Sequence, residues 1–369
     1  MKFEYIAFCS NSNNFWGDEI KNIEFTNKFP GASWIPYLSE KCENHNMKLI
    51  SGKKAIESKI SARKILVIQE MNSWHGINLI NKGAFPLIIF SGESKLYAYY
   101  YYDFFRTLSK PFYHRLTFFE NLFLNNNKFS HFFFPSFSLK EKEKNNIDWN
   151  KRDFSVLVAS NKSIYSNPPE GNVILKLKWI ILSCYKRVSP SFIKAKMNSL
   201  HVFRHELILF FAKKNQIKLF GNQWTNNKLF PSNIRSELSI EIHKLKPNKV
   251  EDKHKIIQGF KFCFCIENTQ EIGYITEKII DSIKAETIPV YVGAPDINSY
   301  VPSNCFININ SFNNLNDLYD YLNNISEENA YKIIENGKIF LKSEEGKRFS
   351  YEFFAEFIFK KIKDVNKYN

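Results

Sequence analysis

The side chains best suited to chemistry lie in residues 260–312, around the start of a predicted helix. An apolar strand is predicted over Phe262–Glu267, and a helix is predicted to begin at Thr276. Glu277 and Lys278 then fall in the first helical turn, where free N–H groups and the helix dipole attract anions such as phosphate. A lysine is unfavourable there unless an anion offsets its charge. The pattern predicts a phosphate-binding site, with a solvated surface lysine as the alternative.

A second polar edge follows the next predicted strand. The apolar run Thr287–Val292 leads into Gly293, which opens a tight turn. A glycine lets the backbone approach a ligand closely because it has no Cβ. Ligands of parallel α/β sheets bind beyond the carboxyl ends of the strands. The sequence therefore predicts a ligand site at that edge.

Short apolar strands alternate with segments long enough for helices through both halves of the chain. In the first half the predicted strands are Phe3–Cys9, Met47–Ser51, Lys64–Gln69 and Pro86–Phe90. In the second half they are Phe154–Ala159, Ile217–Phe220, Phe262–Glu267 and Ile288–Val292. Helices are predicted over Val202–Lys213, from Thr276 to about Ala285, and over Leu315–Ile325, Glu328–Leu341 and Phe349–Ile362. The alternation is typical of an α/β protein with parallel sheets covered on both faces.

The highly charged segment 140–152 predicts a linker between two domains. We expect one domain over residues 1–150, a second over 151–335 and a C-terminal helical segment over 336–369. Two doubly wound domains predict an inter-domain cleft, because ligands bind beyond the carboxyl ends of such strands.

The chain is strongly basic, with 51 Lys and Arg against 37 Asp and Glu, a net charge of +14. Nucleic acid, an anionic membrane and a phosphorylated small substrate could each explain that balance. The basic residues are scattered, and no zinc-finger spacing or RNA-binding signature is present, so nucleic acid is not expected as a partner.

The N-terminal sequence lacks the pattern of a signal peptide, and no apolar stretch is long enough for a spanning helix. We therefore expect a cytoplasmic protein, either soluble or peripheral to the inner face of the membrane. The C-terminal segment 349–369 is amphipathic and aromatic. Its apolar side is predicted to pack on the protein, and contact with a membrane surface is the alternative.

Four stretches of residues 260–312 also carry a family likeness. They are Phe264 through Glu267-Asn268, Gly273-Tyr274-Ile275-Thr276-Glu277-Lys278, Ile288-Pro289-Val290-Tyr291-Val292-Gly293 and Cys305-Phe306-Ile307-Asn308. In this order and spacing they closely resemble the α-1,3/4-fucosyltransferase family, bacterial type. The resemblance implies a GT-B-type fold of two Rossmann-like domains, with the acceptor side in 1–150, the GDP-sugar side in 151–335 and the active site between them.

The resemblance also implies a reaction, the inverting transfer of fucose from GDP-fucose to a hydroxyl of an N-acetylglucosamine or glucose residue. The partners would be a GDP-sugar and a glycan acceptor, which could be lipid-linked. Carried over residue by residue, Glu277 would hold the ribose, and Lys278 and Arg204 would neutralise the diphosphate. Tyr274 and Asn268 would contact the nucleotide or the sugar, and Gly293 would line the same site.

Weaker likenesses lie upstream. Asn161 follows a predicted strand as the family's Ser-Asn motif does, and Arg204 lies in a predicted helix followed by a strand. The long segment 162–203 separates the two, which is a departure from the family's spacing. Arg187 is the competing candidate, although it lacks the helix–strand context.

The general base is expected in the first half of the chain. Ser91-Gly92-Glu93 follows the predicted strand Pro86–Phe90, at the place where the resemblance implies a base. Single displacement needs one carboxylate to take the proton of the acceptor hydroxyl, and Glu93 is the candidate.

Neither a metal nor another cofactor is expected. Metal-dependent sugar transferases commonly carry an Asp-x-Asp motif, and the sequence contains none. Lysine and arginine would then be the counter-charges of the leaving diphosphate. Two alternatives stay open: a transferase that uses another GDP-sugar, and a catalytically inactive protein that binds glycans or nucleotides.

Overall fold

In the computed structural model of the chain, residues 3–29, 31–119, 128–140, 148–164, 173–250 and 252–367 are described. The strands are β1 (Tyr5–Cys9), β2 (Lys48–Ser51), β3 (Ile65–Glu70), β4 (Phe85–Phe90), β5 (His114–Thr117), β6 (Phe129–His131), β7 (Asp153–Val158), β8 (Lys218–Phe220), β9 (Phe260–Ile266), β10 (Ile288–Val292) and β11 (Ile307–Asn308). Every predicted strand is present, with ends that differ by at most two residues.

The helices pack around these strands. They are α1 (Ile23–Thr26), α2 (Trp34–Glu43), α3 (Gly52–Glu57), α4 (Trp74–Asn81), α5 (Tyr99–Asp103), α6 (Phe105–Ser109), α7 (Val173–Val188), α8 (Pro190–Met197), α9 (His201–Lys213), α10 (Arg235–Leu245), α11 (Lys253–Gln258), α12 (Glu277–Lys284), α13 (Leu315–Asn324), α14 (Glu327–Lys342), α15 (Glu344–Lys347) and α16 (Tyr351–Lys367). All five predicted helices are among them.

The chain forms two compact units. The first comprises residues 1–141 and 347–369, and the second comprises residues 142–346. The last helix, α16, therefore belongs to the first unit, whereas the sequence suggested a separate C-terminal segment from residue 336. Much of the predicted linker, at 141–147, lies outside the described residues.

Among the described residues of the first unit, six strands form a parallel sheet in the order β2-β1-β3-β4-β5-β6. The apolar side of α16 packs against α2 and β4, where the Phe354 ring lies 5.0 Å from the Trp34 ring and 5.7 Å from the Phe90 ring. Phe354, Ile358 and Phe359 are buried. Of the two roles predicted for the C-terminal segment, the structure supports packing on the protein.

In the described part of the second unit, five strands form a parallel sheet in the order β11-β10-β9-β7-β8. Its core joins β9, β10 and the buried side of α9, with Leu207, Phe211 and Phe264 among the most enclosed side chains. The central strands are apolar along their whole length because helices cover both faces of a parallel sheet. Their carboxyl ends bring the candidate site together.

Candidate functional site

The carboxyl end of β9 carries a fully buried acid. Glu267 follows the strand directly and has no exposed surface. One of its carboxylate oxygens accepts the backbone N–H of Thr276 at 2.8 Å, and the other accepts the Thr276 hydroxyl at 2.8 Å and Lys278 Nζ at 2.8 Å. Thr276 and Lys278 lie at the start of α12, so this single carboxylate fixes the start of the helix against the end of the strand.

Lys278 is held in its charged form. Burial alone would lower the pKa of its ammonium group, but the carboxylates of Glu267 and Glu277 outweigh burial and raise that pKa. Its side chain keeps 14 % of its surface exposed, whereas Glu267 keeps none. The cation that the sequence placed unfavourably at a helix N-terminus is thus offset by an acid of the same chain. It also retains an exposed portion that a ligand can reach.

Glu277 belongs to a second ion pair at the same helix end. Its Oε1 lies 3.6 Å from Lys253 Nζ, which also lies 2.5 Å from Asp281 Oδ2 one turn along α12. Burial would raise the pKa of Glu277, yet Lys278 and Lys253 lower it to about 2. Glu277 is therefore ionised at neutral pH. Sequence analysis missed Lys253, because only the packing of α11 on α12 brings it to the site.

Arg204 lies on α9 and ties that helix to the end of β9. Its Nη2 donates to the carbonyl oxygens of Ile266 at 2.9 Å and Glu267 at 3.0 Å, and to Asn268 Oδ1 at 3.3 Å. Only 3 % of Arg204 is exposed. The structure thus brings Arg204, Asn268, Glu277 and Lys278 together. Their binding of a donor stays a prediction.

Charge is balanced within this described cluster. The cations are Arg204, Lys253 and Lys278, and the anions are Glu267, Glu277 and Asp281. A bound diphosphate would add negative charge at the helix N-terminus, where the helix dipole favours it.

Asn161 is buried next to His205, the residue that follows Arg204 on α9. Its Nδ2 donates to the Gln223 carbonyl at 3.3 Å, so its Oδ1 is the acceptor for His205 Nε2 at 3.0 Å. Burial, and secondarily the Arg204 charge, lowers the pKa of His205 to about 4, which leaves the imidazole neutral. Asn161 therefore contacts the chain itself, and His205 is a site-supporting residue that sequence analysis missed.

Two glycines shape the loops after β9 and β10. Gly273 adopts φ +76°, and its N–H donates to Asp296 Oδ1 at 2.8 Å. At Gly293 an added Cβ would lie 2.4 Å from Tyr291 Oη and 2.5 Å from Glu267 Cγ. The Gly293 backbone consequently sits directly against Glu267. Tyr274 is 1 % exposed, so its ring is buried.

Glu93 lies in the first unit, just after β4. Its N–H donates to Ser91 Oγ at 3.2 Å, and its carbonyl accepts the Tyr102 hydroxyl at 3.0 Å. The carboxyl end of β3 next to it holds Glu70, whose pKa is raised by burial and, less strongly, by Glu93. The donor-side residues thus share one unit, and the predicted base belongs to the other.

Over the described ranges, no three His, Cys, Asp or Glu side chains are grouped as a metal site requires. Independence from metal stays a prediction.

A family model described as glycosyltransferase family 10 (fucosyltransferase), C-terminal, matches residues 191–333. The matched segment, residues 191–333, is here called the family 10 segment. The family 10 segment contains Arg204, Asn268, Tyr274, Glu277, Lys278 and Gly293. It begins within α8, so α7 and Asn161 lie before it.

Sequence comparison gives a relative of the same kind. The chain is 36 % identical to the alpha-(1,3)-fucosyltransferase FucT of Helicobacter pylori over 116 residues. The match covers 31 % of this chain and 23 % of that enzyme. The chain thus matches about a quarter of the length of this curated relative.

Solved structures show the fold. A crystal structure of an alpha1,3-fucosyltransferase with GDP matches at a TM-score of 0.52 and 18 % identity, covering 98 % of this chain and 90 % of that one. Anabaena Alr3699/HepE in complex with UDP and glucose matches at a TM-score of 0.57 and 11 % identity, covering 98 % and 100 %. The predicted GT-B-type class of two Rossmann-like sheets is confirmed. Within the described helices, none has the length and apolar content to cross a bilayer.

Proposed function

We propose that the chain transfers fucose from GDP-fucose to a hydroxyl of a glycan acceptor, in one inverting displacement and without a metal. The observation that carries the proposal is the cluster of Arg204, Glu267 and Lys278 at the start of α12, inside the family 10 segment. A helix N-terminus beside a partly exposed lysine is suited to a nucleotide diphosphate.

The chemistry of sugar transfer fits the electrostatics of this cluster. Negative charge gathers on the departing diphosphate as the glycosidic bond breaks, so fixed positive groups aimed at it stabilise the transition state. Lys278 supplies a charge that is held ionised and partly exposed, and the more buried Arg204 adds to the positive field. Glu267 holds Lys278 in place, so little reorganisation is needed when the charge develops.

Glu277 and Asn268 are proposed to orient the nucleotide. Glu277 stays ionised because its pKa is lowered to about 2, so its carboxylate can accept hydrogen bonds from the ribose hydroxyl groups. The side-chain amide oxygen of Asn268 accepts a hydrogen bond from Arg204, which fixes the orientation of the amide.

Glu93 is proposed as the general base for the acceptor hydroxyl. Its backbone N–H donates to Ser91 and its carbonyl accepts from Tyr102, which fixes the main chain from which the carboxylate extends. A base on one unit and a donor site on the other would make transfer depend on the arrangement of both units. The proposed acceptor is an N-acetylglucosamine or glucose residue of a glycan.

A thermal-shift titration with GDP, GDP-fucose, GDP-mannose and UDP-glucose, each with and without EDTA, tests the proposal. A ligand at 100 times its dissociation constant stabilises the folded state by about 2.7 kcal/mol, so GDP and GDP-fucose should raise the melting temperature, with and without the chelator. An equal shift with GDP-mannose would favour another GDP-sugar as the donor. No shift with GDP would contradict a family 10 donor site.

Glu93→Gln is the matched control in the same titration. This variant should keep the GDP shift and lose transfer to N-acetyllactosamine. A variant that loses the GDP shift would show that Glu93 is not the base.

A further inference from the structure

Helix α7 presents apolar side chains to solvent. Leu177, Ile180, Ile181 and Val188 are 54 %, 48 %, 66 % and 68 % exposed, and the Cys184 side chain between them is exposed as well. These five residues are here called the α7 stripe. Large exposed apolar patches mark binding surfaces, because a monomer gains nothing by leaving them in water.

Helical periodicity places the α7 stripe on one face. Its members recur at intervals of three and four residues, which puts them above one another on an α-helix. Trp179 and Lys186 face the opposite way: Trp179 is half-buried and Lys186 is 9 % exposed. A surface helix of a globular protein normally turns its aliphatic side chains inward, whereas the members of the α7 stripe point outward.

The exposed apolar surface continues onto the next helix. On α8, Ile193 is 45 % exposed and Met197 is 82 % exposed. Lys194 and Lys196, between them along the chain, are exposed as well. Two successive helices therefore carry apolar and basic side chains outward together.

Charge identifies the kind of surface that would cover them. Residues 173–197, which form α7 and α8, contain six Lys and Arg and no Asp or Glu. Lys176 and Arg187 flank the α7 stripe on α7 itself, and both are exposed. An apolar face bordered by basic residues is typical of a helix that lies in the interface of an anionic bilayer. A second copy of the chain would instead bring like charges together.

We propose that α7 and α8 dock this protein on an anionic phospholipid bilayer, with the α7 stripe inserted at the level of the headgroups. The surface lies mostly ahead of the family 10 segment, which starts at residue 191. The proposal stands independently of fucosyl transfer, since it rests on exposure and charge alone. It also differs from membrane contact through the C-terminal segment, where Phe354 packs on Trp34 of α2 and Phe90 of β4, and Ile358 and Phe359 are buried.

Flotation with lipid vesicles tests the proposal. The full chain should float with vesicles of phosphatidylcholine and phosphatidylglycerol, and much less with phosphatidylcholine alone. The double variant Leu177→Glu/Ile181→Glu should lower the vesicle partition coefficient at least about tenfold, because each lost aliphatic side chain removes apolar burial. Lys194→Gln/Lys196→Gln should lower it roughly fivefold for each cation removed, and only on the anionic vesicles.

Ile339→Glu is the matched control, because Ile339 is 60 % exposed on α14 of the same unit. It should float like the unmodified chain, and unchanged melting temperatures should show that all variants fold. The proposal is overturned if the unmodified chain does not float, or if Ile339→Glu loses as much binding as the stripe variant. It is also overturned if gel filtration shows a dimer that Leu177→Glu/Ile181→Glu dissociates, since the α7 stripe would then be an interface between copies.

Discussion

At the scale of single residues, the ion pair of Glu267 and Lys278 combines a structural role with a proposed role in ligand binding. Glu267 is fully enclosed and needs a positive partner, whereas Lys278 is partly exposed and available to an anionic ligand. Removing one member of a buried pair leaves the other charge without compensation, which costs far more than the pair contributes as a whole. A substitution at Lys278 is therefore expected to change stability as well as activity.

Lys278→Ala should lower the free energy of unfolding by about 3–5 kcal/mol, because Glu267 keeps its buried charge. It should also lower the rate of fucosyl transfer by roughly 10²–10³-fold through loss of one group that stabilises the leaving diphosphate. Urea unfolding and an assay of transfer from GDP-fucose measure the two effects separately.

The double variant Glu267→Gln/Lys278→Met separates structure from catalysis. It carries no uncompensated charge, so most of the stability should return while transfer stays low. Recovery of transfer together with stability would contradict the proposed role of Lys278.

Sequence alone predicted Lys278 and Glu277, because position in a first helical turn is a local property. It did not predict Lys253 as the partner of Glu277, or His205 as the partner of Asn161. Both reach the site through the packing of whole helices, and nothing in their own neighbourhood along the chain signals it. The ion pair with Glu267 was likewise not predicted, because the sequence suggested an external anion as the partner of Lys278.

At the scale of secondary-structure elements, β9, β10 and α12 meet where the Gly293 backbone lies against the Glu267 side chain. Gly293 follows β10 and leaves no room for a side chain against Glu267, which in turn holds the first turn of α12. The geometry of the proposed diphosphate site thus depends on the spacing of two strand ends.

Gly293→Ala should displace Glu267 and weaken the start of α12. We expect a loss of about 1–3 kcal/mol in unfolding free energy, as for other overpacked sites, together with weaker GDP binding measured by calorimetry. Gly259→Ala is the matched control, because its Cβ would lie 3.5 Å from the Ile256 carbonyl, an ordinary contact. Equal GDP affinity in the two variants would show that the contact at Gly293 does not shape the donor site.

The strands that sequence reasoning found are those with continuous apolar runs, such as β3 and β10. It missed β5, whose buried residues include His114 and Arg115. Arg115 is tolerated there because it donates to the carbonyls of Ser109 at 2.7 Å and Lys110 at 2.8 Å. Such compensation is tertiary, so a polar strand of this kind does not stand out in the sequence.

At the scale of the whole molecule, buried histidines determine how the fold responds to acid. Among the described residues, burial is the main cause that lowers the pKa of His114 and His201 to about 3 and of His131 and His205 to about 4. The ordinary value is about 6.5, so the unfolded chain takes up these protons first. The stability that these neutral histidines contribute is therefore fully present above pH 6.5 and is lost as the pH falls toward 4.

We expect the free energy of unfolding to decrease between pH 7 and pH 5 by up to about 2 kcal/mol for each of these histidines. Glu277 does not contribute in this range, because a carboxylate with a pKa of about 2 loses its stabilising effect only below about pH 4.5. His205→Gln keeps a donor for Asn161 but cannot titrate, so it should reduce the loss.

Urea unfolding at several pH values measures this dependence, with His45→Gln as a control at an exposed histidine. The same slope in His205→Gln as in the unmodified chain would show that His205 is not one of the titrating groups.

The membership of α16 in the first unit has a consequence for how the chain matures during synthesis. Trp34 and Phe90 emerge early, yet the Phe354 ring that packs on both comes from the far end of the described chain. Residues of the second unit are synthesised in between, and that unit can assemble its own sheet first. Until α16 is synthesised, the first unit exposes the aromatic side chains that Phe354 later covers. Nascent proteins with exposed apolar surface of this kind engage chaperones.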